Sequence, residues 1–244
     1  MKVLCIVQAR MGSERLPGKV LKPILGQPMI LYTLNRLKKC KYLDEIVLAT
    51  SSRNSEEPLV NVVKSSGFKV FKGDENNVLK RYVDTYKEHG GDIIVRVTGD
   101  CPLIDPQIVD NIITYYEIND FDYVRLDVPE TFVRGFDVEV FSSKVLLNVY
   151  EQVSLLKGSD RFKEHVTLYI YENSDRYKVG YVRGNEFYNK NYRLCVDTLE
   201  DFKLVEQVFS HFKDEYVSGK DVIKYLDNNS DIASININIE QKKV

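Results

Sequence analysis

Short runs of aliphatic and β-branched residues recur along the first half of the chain, at residues 2–7, 45–50, 92–97 and 121–124. A run that is apolar on both faces reads as a strand covered on both sides, which is how the strands of a parallel sheet are placed. Between the runs, apolar residues fall at helical spacing: Met29, Leu31, Leu34 and Leu37; Leu59, Val62 and Val63; Val78, Leu79, Tyr82, Val83 and Tyr86; Ile108, Ile112, Ile113 and Tyr116. This alternation predicts an α/β fold, a Rossmann-like, mostly parallel sheet wound through right-handed crossovers and flanked by helices. Ligands are then expected at the carboxyl ends of the strands.

Beyond about residue 127 the rhythm changes. Residues 131–141 alternate as an extended segment does, 143–156 have helical spacing, 165–171 fit helix or strand, and 177–182 read as a strand. Residues 192–196 restore a core strand, and 198–212 and 219–226 supply closing helices. No Pro- or Ser-rich linker, low-complexity tract or internal repeat divides the 244 residues. One domain over residues 1–244 is therefore expected, with a mixed α+β elaboration at 131–192. The tail, 241–244, is expected to fray.

Composition removes several alternatives. Hydrophobic residues make up 43 % and charged residues 29 %, ordinary for a globular chain, which argues against disordered and fibrous classes. The 34 Lys and Arg against 36 Asp and Glu leave a charge of −2 without long runs of one sign, which disfavours a nucleic-acid binder. No stretch approaches the roughly 18–20 apolar residues of a membrane span, and MKVLCIVQAR is too short and too soon charged for a signal peptide. A cytoplasmic protein is expected. Cys5, Cys40, Cys101 and Cys195 stand far apart with no CxxC pair, so the expectation is buried reduced thiols, with neither structural zinc nor disulfides.

The segment after the first strand, QARMGSERLPGK at 8–19, lies where a wound sheet receives a phosphate. Gly12 and Ser13 let the backbone turn with its N–H groups outward, and Arg10, Arg15 and Lys19 put three cations on one short excursion, so a polyanion is implied. Lys19 is followed by Val20, which excludes the GxxxxGK[ST] loop, and no GxGxxG is present, which excludes the ordinary dinucleotide site.

Residues 8–28, read with TGDCPLID at 98–105, GFDVEVFS at 135–142, KEHVTLYI at 163–170 and DTLED at 197–201, resemble the cytidylyltransferases of the spore-coat polysaccharide type. These are related to the enzymes that make CMP-sialic acid and CMP-Kdo. The resemblance covers nearly the whole chain and implies a nucleotide-diphospho-sugar transferase-like fold. It also implies a Mg2+-dependent transfer of CMP from CTP to a sugar acid or phosphorylated small acceptor, with release of pyrophosphate, for a surface glycan. Magnesium needs only one or two carboxylates beside water and substrate phosphate. The resemblance assigns them to Asp100, just beyond the strand at 93–97, and Asp197, just beyond the run at 193–196. On the residues alone, Asp197 in front of a helix with Glu200 following is ordinarily a capping device, and Asp201 a first-turn acid favoured by the helix dipole.

Carried over position by position, the resemblance gives Arg10 and Lys19 to the triphosphate, with Lys19 neutralising charge as pyrophosphate departs. Ala9, Gly12 and Ser13 contribute close backbone contacts, and Arg15 either joins them or pairs with a surface carboxylate. Gly73 and Asp74 approach the cytosine and Arg81 the base or phosphate; the plain alternative there is a helix start capped by Asp74 or Asn76. Arg96 stands on an otherwise apolar strand and must find a carboxylate or phosphate, so it joins the candidate ligand contacts. Asp137, Glu139 and His165 are candidates for the acceptor, with Arg134 or Arg161 for an acceptor carboxylate or phosphate. His165 reads equally as a hydrogen-bonded structural residue, and His89 and His211 as helix-surface residues. Gln8 stands where sugar-acid enzymes usually carry Pro, which leaves the acceptor open. Relatives of this kind are commonly dimers, so a homodimer through the middle segment is expected. Two other classes compete, a metal-dependent glycosyltransferase using a DxD pair, for which only Asp120 and Asp122 have the spacing, and a non-catalytic nucleotide-binding module.

Overall fold

The computed structural model describes residues 1–242. In chain order the strands are β1 (Val3–Gln8), β2 (Pro23–Ile24), β3 (Gln27–Pro28), β4 (Glu45–Ser51), β5 (Lys69–Gly73), β6 (Ile93–Thr98), β7 (Tyr123–Leu126), β8 (Glu139–Ser142) and β9 (Val179–Val182). The α-helices are α1 (Met29–Leu37), α2 (Glu57–Ser65), α3 (Val78–His89), α4 (Pro106–Ile118), α5 (Ser143–Leu155), α6 (Asp160–Glu164), α7 (Leu168–Glu172), α8 (Leu199–Phe212), α9 (Gly219–Asn228) and α10 (Ser230–Ala233). Seven strands form one sheet in the order β5-β4-β1-β6-β8-β7-β9, and β2 and β3 form a small separate ladder. Strands β5, β4, β1 and β6 are parallel neighbours, β8 runs antiparallel to both β6 and β7, and β7 and β9 are parallel.

The two-residue period of the strands sorts side chains into two buried layers. Val3, Cys5, Val7, Val95 and Val97 point to a layer filled by α1, α4, α8 and α9, while Leu4, Ile6, Val47, Ala49 and Ile94 point to one filled by α3, α5, α6 and α7. Right-handed crossovers leave the loops after β1 and β6 at one edge, and the site forms there.

The structure departs from the sequence expectations where pattern and partner disagree. β5 was not expected, because Lys69 and Lys72 interrupt its apolar residues; it is the half-exposed edge strand, where charge is tolerated. The run at 121–124 is displaced to Tyr123–Leu126, with Phe121 instead packing against Gly180, and antiparallel β8 separates β7 from β6, so the sheet is mixed. Of the extended segment at 131–141 only Glu139–Ser142 pairs as a strand. Residues 192–196 form no strand: Leu194, Cys195 and Val196 are buried, but the segment threads between two irregular stretches. Its backbone bonds are Leu194 N–H to Arg134 O at 2.8 Å and Val196 N–H to Asp100 O at 2.8 Å. Gly135 permits this crossing, since its φ of 108° is strained for other residues and a Cβ there would lie 2.6 Å from the Leu194 carbonyl carbon. Residues 165–171 resolve into helix from Leu168 onward.

All four cysteines are free thiols, three of them buried. Among the described residues no helix is long and apolar enough to cross a membrane. The expected fraying of the tail is not seen at Gln241 and Lys242, which contact Arg193 and Glu14; Lys243 and Val244 lie outside the described residues.

At the opposite edge, Glu45 gathers Lys2 at 2.7 Å, Lys69 at 2.8 Å and His89 Nδ1 at 2.7 Å, so His89 is a half-buried partner and not a free surface group. Burial pushes the Glu45 carboxyl up, but hydrogen bonds from Lys2, Lys69 and His89 outweigh it and hold the group at about 2. A folded-state value below the unfolded one makes its stabilisation complete above the ordinary carboxyl range and lost as pH falls through about 2. Glu45→Gln therefore lowers the melting temperature at neutral pH, and the gap from wild type closes on acidification. A gap independent of pH in thermal melts contradicts this.

Candidate active site

The loop after β1 is held by its own backbone and by one buried acid. Ser13 N–H and Gly18 N–H both donate to Met11 O at 3.0 Å, and Gly18, at φ 68°, turns the chain into a single 3₁₀ turn, Lys19–Leu21. Glu56, 3 % exposed, accepts from Met11 N–H at 2.9 Å and from the Thr50 hydroxyl at 2.9 Å, pinning the loop to the end of β4. Gly99 lets the turn after β6 approach it: a Cβ there would lie 2.8 Å from the Ala9 Cβ.

These constraints deliver Lys19, only 8 % exposed, to the centre of the site. Its ammonium donates to Asp100 Oδ2 at 2.9 Å, Asp197 Oδ1 at 2.9 Å and Val196 O at 2.7 Å. All three of its protons are used. The two carboxylate oxygens are thus no further apart than twice the lysine's reach to either. Burial pushes the Lys19 ammonium down, but the two aspartates outweigh it and leave it above its ordinary value. Burial likewise raises Asp100, and Lys19 more than reverses this.

The alternative reading of Asp197 as a helix cap is removed by its neighbours. Thr198 caps α8 and Asp201 closes the capping box: the Asp201 N–H reaches Thr198 Oγ1 at 3.3 Å, and Asp201 Oδ2 accepts from Thr198 N–H at 3.0 Å and Asp197 N–H at 2.9 Å. Asp201 is the first-turn acid expected, and it is fully buried. The Asp197 side chain faces cations instead: Oδ2 accepts from Arg15 at 2.8 Å and from Arg193.

A cavity of about 960 Å³ opens over these groups. Ala9, Arg10, Ser13, Arg15, Lys19, Arg81, Asp100, His165 and Asp197 line it, so most predicted nucleotide residues meet there. Asp160, Arg161 and Glu164 of α6 form another wall, and burial lowers the His165 imidazole below its ordinary value. Gly12, Gly73, Asp74 and Arg96 do not line it. Gly73 backs Arg81, whose Cγ would lie 2.9 Å from an added Cβ, and Asp74 holds Arg81 through its carbonyl while its carboxylate closes a turn onto Asn76 and Asn77. The α3 cap is Asn77, not Asp74 or Asn76. Arg96 finds its carboxylate across the β6–β8 ladder, Glu139 Oε1 at 2.9 Å, and Glu139 also accepts from the Tyr171 hydroxyl at 2.9 Å. Arg134 and Asp137 lie outside the cavity walls; Asp137 accepts from Gly135 N–H at 2.7 Å, and burial raises its carboxyl. A second cavity of about 490 Å³ lies away from the carboxylates, against α4 and α9.

The sequence reading missed Glu56, Arg193 and Asn236. Arg193 had a usable signal, the one applied to Arg96: a cation on an otherwise apolar run needs a partner, and Asp197 lies four residues on. Burial of Cys101 and Cys195 holds both thiols well above their ordinary value, so neither is primed as a nucleophile. The Asp120 and Asp122 pair precedes β7 and binds Lys178, which gives no support to the glycosyltransferase reading.

Among the described residues no group of three or more His, Cys, Asp and Glu is placed to hold a metal ion. The donor set that fits one is the pair Asp100 and Asp197, hard oxygens in the number magnesium takes from protein. Asp100 Oδ1 receives a weak contact from the Cys101 thiol at 3.7 Å.

A wound sheet with a pinned cationic loop behind its first strand and two carboxylates on one buried lysine defines the chain as an enzyme of the nucleotidyltransferase class. It belongs to the cytidylyltransferase family, whose sequence model it matches over residues 4–239. It is 32 % identical over 240 residues to the spore coat polysaccharide biosynthesis protein SpsF of Bacillus subtilis, covering 95 % of this chain and 97 % of that one. It is 30 % identical over 216 residues to the 8-amino-3,8-dideoxy-manno-octulosonate cytidylyltransferase of Shewanella frigidimarina, covering 85 % of each. The solved structure of a cytidylyltransferase from Leptospira borgpetersenii superposes with a TM-score of 0.89 at 33 % identity, covering 100 % of this chain and 99 % of that one.

Proposed function

We propose that this enzyme transfers CMP from CTP to a sugar acid or phosphorylated small acceptor, releasing pyrophosphate, in a magnesium-dependent step of surface-polysaccharide synthesis in the cytoplasm. The observation that carries the reading is the Lys19 ammonium set between Asp100 and Asp197 at the floor of a cavity walled by Arg10 and Arg15. Two acids around one cation, faced by further cations, suit a polyanion whose charge is shared between ammonium, guanidinium and metal.

An acceptor oxygen attacks the α-phosphate as the bond to the pyrophosphate oxygen breaks. Charge builds on the departing pyrophosphate, and Arg10, Arg15 and Lys19 are placed to hold it. Arg15, about a third exposed and bound to Asp197, is the cation best able to exchange that carboxylate for phosphate. Asp100 and Asp197 would hold magnesium, which when bound supplies Lewis-acid polarisation of the phosphate oxygens. The acceptor is received along the wall formed by Arg161 and His165, while the 134–139 segment packs by Gly135 on Leu194 and Cys195 and does not line the cavity. Arg134, Asp137 and Glu139, expected at the acceptor, stand outside the cavity walls, with Glu139 held by Arg96 and Tyr171. One catalytic domain with a homodimer through residues 131–192 completes the reading.

Pyrophosphate release measured with each of the four nucleoside triphosphates and magnesium, against a panel of sugar acids and phosphorylated polyols, is expected with CTP and not with ATP, GTP or UTP. Equal turnover of another triphosphate overturns the cytidylyl assignment.

A further inference from the structure

The last described residues fold back onto the cavity and reach the cationic loop at Glu14. Asn236, 3 % exposed, anchors them, its amide donating to Arg193 O at 2.9 Å and to Asp201 Oδ1 at 2.7 Å. Five residues later the side-chain oxygen Oε1 of Gln241 accepts from Arg193 Nη1. Lys242 then lines the cavity and meets Glu14 at 3.1 Å. We propose that Gln241 is a positioning residue for Asp197, acting through Arg193, and that residues 236–242 are a strap belonging to the active site. This rests on the reading of Asp197 as a metal-binding carboxylate.

The geometry of Arg193 carries the proposal. Its side chain is 9 % exposed and its three kinds of nitrogen have three different acceptors: Nε donates to Asp201 Oδ1 at 3.1 Å, Nη1 to Gln241 and Nη2 to Asp197 Oδ2. A guanidinium is planar, so acceptors on three sides fix both its plane and its rotation. With the fork fixed, Nη2 reaches only one oxygen of Asp197 and leaves Oδ1 to Lys19. Asp201 cannot perform this alone, because a guanidinium held only at Nε swings about that bond. Without Gln241, the half-buried Nη1 loses its acceptor among the described residues, and the nearest protein replacement is a two-pronged grip on Asp197. That grip draws Oδ1 off Lys19 and turns both carboxylate oxygens toward Arg193. The exposed Lys242–Glu14 pair adds little energy, and its consequence is positional.

Binding of Mn2+ in the presence of CTP, followed by titration calorimetry, tests the strap without needing the acceptor. Gln241→Ala is expected to weaken Mn2+ binding about tenfold, with CTP affinity in EDTA and the melting temperature nearly unchanged. Gln241→Glu, which still offers Nη1 an oxygen, is expected to restore wild-type Mn2+ affinity. Mn2+ affinity within twofold of wild type in Gln241→Ala, a parallel fall of Mn2+ affinity, CTP affinity and melting temperature, or failure of Gln241→Glu to restore binding overturns the proposal. Asp197→Asn measured alongside separates the two claims. A tenfold or greater loss there with none in Gln241→Ala removes only the strap, whereas no loss in Asp197→Asn removes the metal assignment of Asp197 and the strap with it.

Discussion

Asp100→Asn combined with Asp197→Asn is expected to lower turnover of CTP by about 10³-fold or more, a loss of about 4 kcal/mol of transition-state stabilisation. Asparagine keeps the size and one accepting oxygen of each side chain, so Lys19 keeps its hydrogen bonds, and what disappears is charge. Magnesium loses the two hard anionic ligands of the cavity floor. Lys19 loses the two charges that hold its ammonium above its ordinary value against burial, and its pKa falls. Pyrophosphate release under saturating CTP and magnesium measures the effect, and rates within a few-fold of wild type defeat the assignment. The single variants separate the roles. Among the described residues Asp100 pairs with Lys19 and with no guanidinium, so Asp100→Asn should act mainly through the metal. Asp197 also neutralises Arg15 and Arg193, so Asp197→Asn leaves two guanidinium groups facing one amide and should weaken folding as well as turnover.

What the sequence revealed and what it hid divide along physical lines. The strands at 2–7, 45–50 and 92–97 were legible because burial on both faces forces an uninterrupted apolar run, and β1, β4 and β6 lie there. The edge strand β5 was not, since one open side tolerates Lys69 and Lys72. Leu194 to Val196 misled in the opposite sense: the segment is apolar because it is buried, yet it passes between the 134 and 100 stretches with an isolated bridge, Arg193 to Arg134, in place of a ladder. Burial is written in composition; hydrogen-bond partnership is not. The same distinction runs through the site. Arg10 and Lys19 stood out as cations on one short loop and Asp100 as an acid in a turn after a strand, whereas the ligand reading of Asp197 rested on the resemblance. Asp197 and Asp201, four apart around one Thr, could each have been the cap, and only the hydrogen bonds assign that work to Thr198 and Asp201. Arg96 was correctly expected to need a carboxylate, but a ladder partner 43 residues away, Glu139, met the need inside the protein. A lone charge in an apolar run thus demands a counter-charge without saying whether protein or ligand supplies it.

Lys19→Ala is expected to lower the chemical rate about 10²–10³-fold while changing CTP affinity only a few-fold, the pattern of a group whose contact strengthens as charge develops. Arg10 and Arg15 remain to bind the triphosphate, so the ground state keeps most of its attraction. The transition state loses the buried cation that both aspartates hold at the cavity floor. Burst-phase measurement of pyrophosphate release separates the two quantities, and a variant defective only in CTP affinity refutes the leaving-group role. Folding reports on the same residue independently. Removing a buried lysine from between two carboxylates leaves them facing each other without a counter-charge, a change that costs about 3–5 kcal/mol when a buried pair is broken. The penalty is electrostatic, so it should depend on what replaces the ammonium. Melts in EDTA are expected to show the full loss. Melts in magnesium are expected to recover part of it, because two hard carboxylates stripped of their lysine form a cation site. An equal loss in both conditions contradicts that placement of the two aspartates around a single shared cation.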